Sequence, residues 1–176
     1  MVKIFKNENT LAHDLSLEIL NQIKKNKKFI LGCPGGRSLK KTYYYLGRLS
    51  SKLNISLDNL VLVMMDEYVL IKNNRYRLVD SREHYSCVRF SRNVIKKLLN
   101  YKKNKSNSLK SYNILFPEIS NPKNYDLLIK KIGGIDLFLL ASGSGDGHVA
   151  FNNRYCHLNQ KTHIRIYHLD TVNFGA

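Results

Sequence analysis

Apolar residues along this chain follow two spacings, and segments of the two kinds alternate. Short, continuous apolar runs are typical of strands covered on both faces of a parallel sheet, whereas apolar residues three and four positions apart are typical of helices. The runs predict strands at residues 2–5, 29–32, 60–65, 112–116, 135–141 and 163–167. The helical spacing predicts helices at residues 10–23, capped by Asn9 or Thr10, and at 39–49, 81–99 and 122–132. This alternation predicts an α/β fold with a doubly wound, mostly parallel sheet and helices on both faces.

Length and composition are those of a single domain spanning residues 1–176. Hydrophobic residues make up 43% of the chain and charged residues 24%, which is ordinary for a globular protein. No apolar run approaches the roughly 18 residues of a membrane helix, and the first residues lack the apolar stretch of a signal peptide. Cys33, Cys87 and Cys156 form no metal-ligand pattern. We therefore expect a cytoplasmic protein with buried thiols, no metal site and no membrane partner.

Positive charge is the most unusual feature of the composition. The chain has 29 Lys and Arg residues against 13 Asp and Glu residues, a formal charge of +16. Such an excess occurs in nucleic-acid-binding proteins, and it also attracts phosphorylated metabolites. The basic residues are scattered, with lysine-rich clusters at residues 24–28 and 102–105 that we expect at helix ends or in loops. Because no nucleic-acid-binding module or aromatic stacking motif accompanies them, we expect a solvated basic surface and no nucleic-acid partner.

Three of the predicted strands end in segments with unusual chemistry, at the edge where open parallel sheets bind ligands. The first segment consists of Gly35, Gly36, Arg37 and Ser38. Two glycines let the backbone approach an anion, the following helix offers free N–H groups, and Arg37 adds positive charge. These features favour a phosphate-binding loop. The alternative is a plain tight turn in which Ser38 caps the helix.

The second segment, Asp66-Glu67-Tyr68, directly follows a continuous apolar run. An acid at the end of a buried strand can be desolvated, which tunes it for proton transfer. An exposed acidic turn is the commoner situation for such a pair. Tyr68 either orients a carboxylate or packs against its neighbours.

The third segment is glycine-rich and contains Asp146-Gly147-His148. Histidine is the usual general acid or base near neutral pH. A single histidine is more often structural, but its position after Asp146 at a strand end favours catalysis. The glycine spacing does not match a dinucleotide-binding fingerprint.

Residues 65–69, Met-Asp-Glu-Tyr-Val, and residues 146–152, Asp-Gly-His-Val-Ala-Phe-Asn, resemble the MDEYV and DGHIAFN stretches of the glucosamine-6-phosphate deaminase and isomerase family. The order and separation of these motifs fit the superfamily that this family shares with 6-phosphogluconolactonases. The resemblance runs over nearly the whole chain and implies a Rossmann-like sheet. It also implies an enzyme that isomerises an amino-sugar phosphate with release of ammonia, without metal or organic cofactor. Since Ala176 falls short of family length, we expect a chain truncated at its C-terminus.

The resemblance implies a role for each matching residue. Asp66 matches the acid that moves a proton between C1 and C2 of the opened sugar. His148 matches the residue that opens the pyranose ring, with Asp146 helping to set its imidazole. The phosphate-binding residues are Gly35, Gly36, Arg37 and Ser38. The other predicted substrate-binding residues are Glu67, Tyr68, Gly143 and Gly147.

Several residues depart from the deaminase pattern and leave alternatives open. Asn153 stands where deaminases have a glutamate that supports the histidine, and Ser144 stands where the family has a glycine. Arg37 fits the 6-phosphogluconolactonase branch better, whereas Tyr68 and the pair at 151–152 fit the deaminases. A lactonase, in which His148 activates water, and a non-catalytic sugar-phosphate-binding protein are the alternatives. The expected partners are a phosphorylated sugar and, in a homo-oligomer, a second copy of the chain.

Overall fold

The structure is a computed structural model that describes residues 2–140, 152 and 159–164. Its strands are β1 (Phe29–Cys33), β2 (Leu60–Met64), β3 (Val69–Lys72), β4 (Arg75–Leu78), β5 (Ile114–Leu115) and β6 (Leu137–Phe138). Its helices are α1 (Glu8–Lys25), α2 (Lys40–Lys52), α3 (Cys87–Phe90), α4 (Lys96–Leu99) and α5 (Lys123–Ile132). A π-helical segment, Ser91–Ile95, joins α3 to α4, and short 3₁₀ turns lie at Arg37–Leu39 and Ser111–Asn113.

Four parallel strands form the central sheet in the order β5-β2-β1-β6. The chain moves outward from β1 through β2 to β5 and then returns to the other side of β1. The strand order therefore reverses between β1 and β6, and ligands of doubly wound folds bind at the carboxyl ends of the strands beside such a switch point.

Residues of β1 and β2 pack alternately on the two faces of the sheet, which explains why both strands are apolar throughout. Phe29, Leu31 and Cys33 contribute to a core with α1, α2 and α4. Ile30 and Val61 contribute to a smaller core with Tyr125 and Ile129 of α5. Helices thus cover both faces, and the predicted Rossmann-like α/β architecture is confirmed.

Two glycines permit close packing around this sheet. A Cβ atom on Gly32 would lie 2.3 Å from the ring of Phe138 on the neighbouring strand. A Cβ atom on Gly47 of α2 would lie 1.9 Å from the carbonyl oxygen of Leu98 in α4. A larger residue at Gly32 would therefore require the Phe138 ring to shift, and one at Gly47 would require the backbone to move.

The start of α1 corrects one prediction. Asn7, rather than Asn9 or Thr10, caps the helix, because its side chain accepts a hydrogen bond from the Thr10 amide at 3.1 Å. The Thr10 hydroxyl in turn accepts a hydrogen bond from the Asn7 amide, which completes a capping box. The strand predicted at residues 2–5 is also wrong: this segment is irregular, and Val2 and Ile4 are exposed. Within the described part of the chain no neighbouring strand accepts its hydrogen bonds, and a short apolar run without such a partner does not form a strand.

Other element boundaries also differ from the predictions. The helix expected from Ser81 begins only at Cys87, where Ser86 caps it. Strands β5 and β6 are shorter than predicted, and Tyr112 lies in a 3₁₀ turn. The predicted strand at 163–167 is not found at His163 and Ile164, and its other residues lie outside the described part of the chain.

The segment that follows Tyr68, for which no strand is predicted, contains a β-hairpin. Strands β3 and β4 pair antiparallel, from Val69 opposite Leu78 to Lys72 opposite Arg75. Asn73 and Asn74 form the turn with φ angles of 51° and 55°. Asparagine tolerates this left-handed conformation better than most residues, so it suits a two-residue hairpin turn.

Candidate functional site

The carboxyl edge of the sheet brings two of the predicted segments together. Cys33 ends β1 and pairs with Met64 at the end of β2, and the Cys33 carbonyl accepts a hydrogen bond from the Met65 amide at 2.8 Å. The chain therefore leaves both strands at the same level. A Cβ atom placed on Gly35 would lie 2.8 Å from Oδ1 of Asp66. The first loop and the predicted catalytic acid are thus in direct contact.

The Gly35–Ser38 segment leaves its charged and polar side chains exposed. Gly36 precedes the 3₁₀ turn Arg37–Leu39, which leads directly into α2. Arg37 and Ser38 make no side-chain hydrogen bond or ion pair with any described residue. The alternative in which Ser38 caps the helix is not what the structure shows, since Leu39 precedes α2 and no side chain caps that helix. Both polar groups remain accessible to an anion.

Asp66 occupies a partly buried position two residues beyond β2. Burial raises the pKa of its carboxyl from 3.8 to about 6. A hydrogen bond from the Cys87 thiol, 3.5 Å from Oδ1, opposes that rise, and the nearby Glu67 carboxylate adds to it. A carboxyl with this pKa is mostly ionised at neutral pH and accepts a proton more readily than an ordinary aspartate.

Glu67 has a structural task in addition to its predicted contact with substrate. Its carboxylate accepts hydrogen bonds from the amides of Cys87 at 3.0 Å and Val88 at 2.7 Å, and from the Ser86 hydroxyl at 2.9 Å. It also accepts a hydrogen bond from the amide of Tyr68 at 2.8 Å. These bonds fix the start of α3 against the segment that carries Asp66.

Tyr68 packs beside the two acids. Its ring contacts that of Tyr85 edge to face, with a centroid separation of 5.4 Å. Burial, followed by the negative groups around it, raises the pKa of its hydroxyl to about 12. The hydroxyl is therefore protonated at neutral pH and keeps a proton to donate.

The third predicted segment lies outside the described residues, including Gly143, Asp146, Gly147 and His148. Its predicted roles stay predictions, as do the consequences of Ser144 and Asn153. The amide of Leu139 donates a hydrogen bond to the Gly32 carbonyl of β1 at 2.9 Å. Leu140, the next residue, therefore lies close to the switch point between β1 and β6.

An open cavity of about 310 Å³ lies at the same edge, on the side of the sheet that α5 covers. Met65, Phe138 and Leu140 line it, and Asn152 and Thr162 provide polar groups. Nearby, the Tyr125 hydroxyl lies 2.8 Å from the Met64 carbonyl, which ties α5 to the end of β2. The cavity is mostly apolar, and it adjoins the site through Met65, the residue before Asp66.

The residue that sequence reasoning missed is Cys87, which touches both Asp66 and the position of Gly35. The cysteines were predicted only as buried thiols, and Cys33 and Cys87 are indeed buried. No sequence signal links Cys87 to Asp66, because 20 residues separate them.

Among residues 2–140, 152 and 159–164, no group of His, Cys, Asp and Glu side chains is arranged to hold a metal ion.

Fold and site together define a Rossmann-like α/β protein with a partly buried acid beside an exposed, glycine-containing loop at the switch-point edge of its sheet. The chain is 33% identical to the glucosamine-6-phosphate deaminase of Phocaeicola vulgatus over 147 residues, 83% of this chain and 51% of that protein. It is 34% identical to the enzyme of the same name from Bacteroides thetaiotaomicron (83% and 50%) and 32% identical to that of Dictyostelium discoideum (84% and 51%). The chain thus spans about half the length of the curated relatives that it matches. No protein-family model matches it.

Two solved structures share the fold. A monomeric glucosamine-6-phosphate deaminase of the NagB superfamily aligns with a TM-score of 0.70 and 22% identity, covering 90% of this chain and 61% of that one. The 6-phosphogluconolactonase of Thermotoga maritima aligns with a TM-score of 0.50 and 16% identity, covering 81% and 58%. The predicted resemblance to the superfamily of glucosamine-6-phosphate deaminases and 6-phosphogluconolactonases is therefore confirmed.

Within the described part of the chain, no helix is long and apolar enough to span a membrane.

Proposed function

We propose that this chain is part of an enzyme that acts like glucosamine-6-phosphate deaminase, isomerising an amino-sugar phosphate with release of ammonia. The observation that carries the proposal is the closeness of Asp66 to Gly35, because a carboxyl suited to accept a proton lies beside the loop that we propose to bind phosphate. The sequence relatives bear the name of this activity. Isomerisation of a sugar phosphate needs both features within the length of one sugar.

Asp66 is the proposed base for proton transfer. It takes the proton from C2 of the ring-opened sugar, a double bond forms between C1 and C2, and the proton returns at C1. Water then replaces the nitrogen at C2, and ammonia leaves. With a pKa of about 6, the carboxyl is ionised when substrate binds and is basic enough to accept the proton. His148 and Asp146 are proposed to open the ring before this step.

The loop after β1 is the proposed phosphate site. The backbone of Gly35 and Gly36 is open to close approach, the hydroxyl of Ser38 can donate, and Arg37 supplies charge. The formal charge of +16 attracts a dianionic substrate from a distance. Glu67 and Tyr68, together with Gly143 and Gly147, are proposed to complete the sugar pocket.

One observation favours a second candidate function. Arg37 is exposed within the loop and fits the 6-phosphogluconolactonase branch, in which His148 would activate water against a sugar lactone. That reaction leaves the hydrogen at C2 in place and requires no base at Asp66. A protein that binds sugar phosphate without turning it over is the third candidate.

Substrate deuterated at C2 separates these candidates. A deaminase should release the label to water or show a slowed turnover with deuterated glucosamine 6-phosphate, and Asp66→Asn should reduce turnover by about 10²–10⁴-fold. The matched control is Asp58→Asn, an exposed acid bound to Ser56 on the opposite edge of the sheet. Turnover of 6-phosphogluconolactone that survives Asp66→Asn would overturn the proposal in favour of the lactonase. Binding of glucosamine 6-phosphate without turnover would favour the third candidate.

The partner, domain and location follow from the same proposal. A phosphorylated sugar is the proposed ligand, and residues 1–176 are proposed to fold as one domain. We propose a cytoplasmic location, since a phosphorylated sugar does not cross a lipid bilayer unaided.

A further inference from the structure

Cys87 is the first residue of α3, and only 5% of it is exposed. Its Sγ atom lies 3.5 Å from Oδ1 of Asp66, within the distance of a thiol hydrogen bond to a carboxylate. Building on the proposed function, we propose that Cys87 is a positioning residue: it holds Oδ1 of Asp66 so that Oδ2 faces the substrate. Oδ2 accepts no hydrogen bond from the rest of the described chain.

The thiol is a donor in this arrangement. Burial raises the pKa of Cys87, and the negative charges of Asp66 and Glu67 raise it further. Cys87 therefore keeps its proton at physiological pH. The ionised Asp66 carboxylate has no proton to donate, so the hydrogen bond runs from sulfur to oxygen.

The thiol has little freedom to move away from Asp66. Glu67 binds the amides of Cys87 and Val88, which fixes the first turn of α3 relative to the Asp66 backbone. On the other side of the thiol, a Cβ atom at Gly35 would lie 2.4 Å from Sγ, so the loop closes the space around it. Glu67 thus holds the start of α3, and α3 in turn holds Cys87 against Asp66. The Cys87 thiol is confined by α3 on one side and by the Gly35 loop on the other.

Among the residues that the structure describes, four other titratable groups act on Asp66 or are affected by its charge. Glu67 and Tyr68 come from the same loop, Cys87 comes from α3, and Tyr125 comes from α5. Tyr68 and Tyr125 have pKa values well above neutral, raised first by burial, and stay uncharged between pH 4 and 8. These two tyrosines therefore do not alter the titration of Asp66 over this range.

The test follows the Asp66 carboxyl directly by ¹³C NMR on protein labelled at the aspartate carboxyl carbons, with Asp66→Asn assigning the signal. In Cys87→Ala the carboxylate loses its donor, and the titration midpoint should move to higher pH by about half a unit to one unit. Cys87→Ser restores a donor and should bring the midpoint back toward that of the unaltered protein. Cys33→Ala is the matched control, because Cys33 is fully buried in β1 and its thiol donates to the Leu31 carbonyl.

Kinetics provide the second readout. In Cys87→Ala, kcat at neutral pH should fall by about 10–100-fold with KM changed by less than about threefold, because the base is misaligned while the phosphate loop still binds. The acid limb of the pH profile should move with the NMR midpoint, and Cys87→Ser should recover most of the loss. If the role of Cys87 were only structural, its substitution would change neither the titration midpoint of Asp66 nor the acid limb of the pH profile.

The two proposals fail in different ways. An Asp66 midpoint that is unchanged or moves to lower pH in Cys87→Ala overturns the role of Cys87, whatever the activity. A midpoint that rises as expected in a protein with no turnover of glucosamine 6-phosphate supports the positioning of Asp66 and contradicts the proposed deaminase function.

Discussion

Replacing Asp66 by asparagine should stabilise the protein at neutral pH. In the folded chain, burial raises the pKa of Asp66 from 3.8 to about 6. Between these two values the folded state binds more protons than the unfolded state, so the free energy of unfolding falls as pH rises through this window. Above about pH 6 the carboxyl is ionised in both states, and the free-energy cost of burying its charge stays constant. Asparagine carries no charge and avoids this cost.

The magnitude follows from the two pKa values. A difference of about two pH units at 1.36 kcal/mol each gives roughly 3 kcal/mol as an upper limit. Because Asp66 keeps some contact with solvent, about 1–3 kcal/mol is the expected effect. As the pH rises from 4 to 6.5, the free energy of unfolding of the unaltered protein should fall by this amount relative to that of Asp66→Asn. At higher pH the difference should stay constant.

Urea unfolding at a series of pH values from 4 to 8 measures the effect. Asp14→Asn is the control, since Asp14 lies on the exposed face of α1 and pairs with Lys3 at 3.3 Å. A surface pair of this kind contributes about 1 kcal/mol or less. If the curves of the unaltered protein and Asp66→Asn run parallel, or if the Asn variant loses stability faster as pH rises, Asp66 is not the desolvated acid described above.

Four further substitutions test the packing and hydrogen bonding around the site and the sheet. Gly35→Ala should destabilise the fold by about 1–3 kcal/mol, because its Cβ would collide with Cys87 and Asp66. Gly36→Ala meets nothing within 4 Å and should change the unfolding free energy by less than about 0.5 kcal/mol; equal effects in urea melts would contradict this loop geometry. Gly47→Ala places a methyl group against the Leu98 carbonyl and should lower the stability by about 3 kcal/mol or more, whereas an unchanged melting temperature would show that α2 and α4 do not pack this closely. Glu67→Gln should cost about 1–3 kcal/mol through weakened bonds to α3, visible as faster amide exchange at Cys87 and Val88; unchanged exchange there would contradict the anchoring role.

The sequence by itself determined the α/β architecture and the positions of its two central strands. Continuous apolar runs at β1 and β2 predict strands buried on both faces, and the structure places alternate residues of each in separate cores. Gly133, with a φ angle of 115°, ends α5 at the boundary predicted for the helix at residues 122–132. These features are local, since each depends on the spacing of residues along one segment or on the conformational preference of one residue.

Only the tertiary structure decided which segments meet. The order β5-β2-β1-β6 places the switch point at β1 and β6, and no local pattern specifies such an order. The run at residues 2–5 is as apolar as a strand but pairs with none of the described strands, whereas Asn73 and Asn74 form the turn of a hairpin that was not predicted. The contact of Cys87 with Asp66 joins residues 21 positions apart through the turn that Glu67 anchors. Hydrogen bonding and burial depend on neighbours in space, and the chain sets those neighbours only once the sheet and its helices have packed.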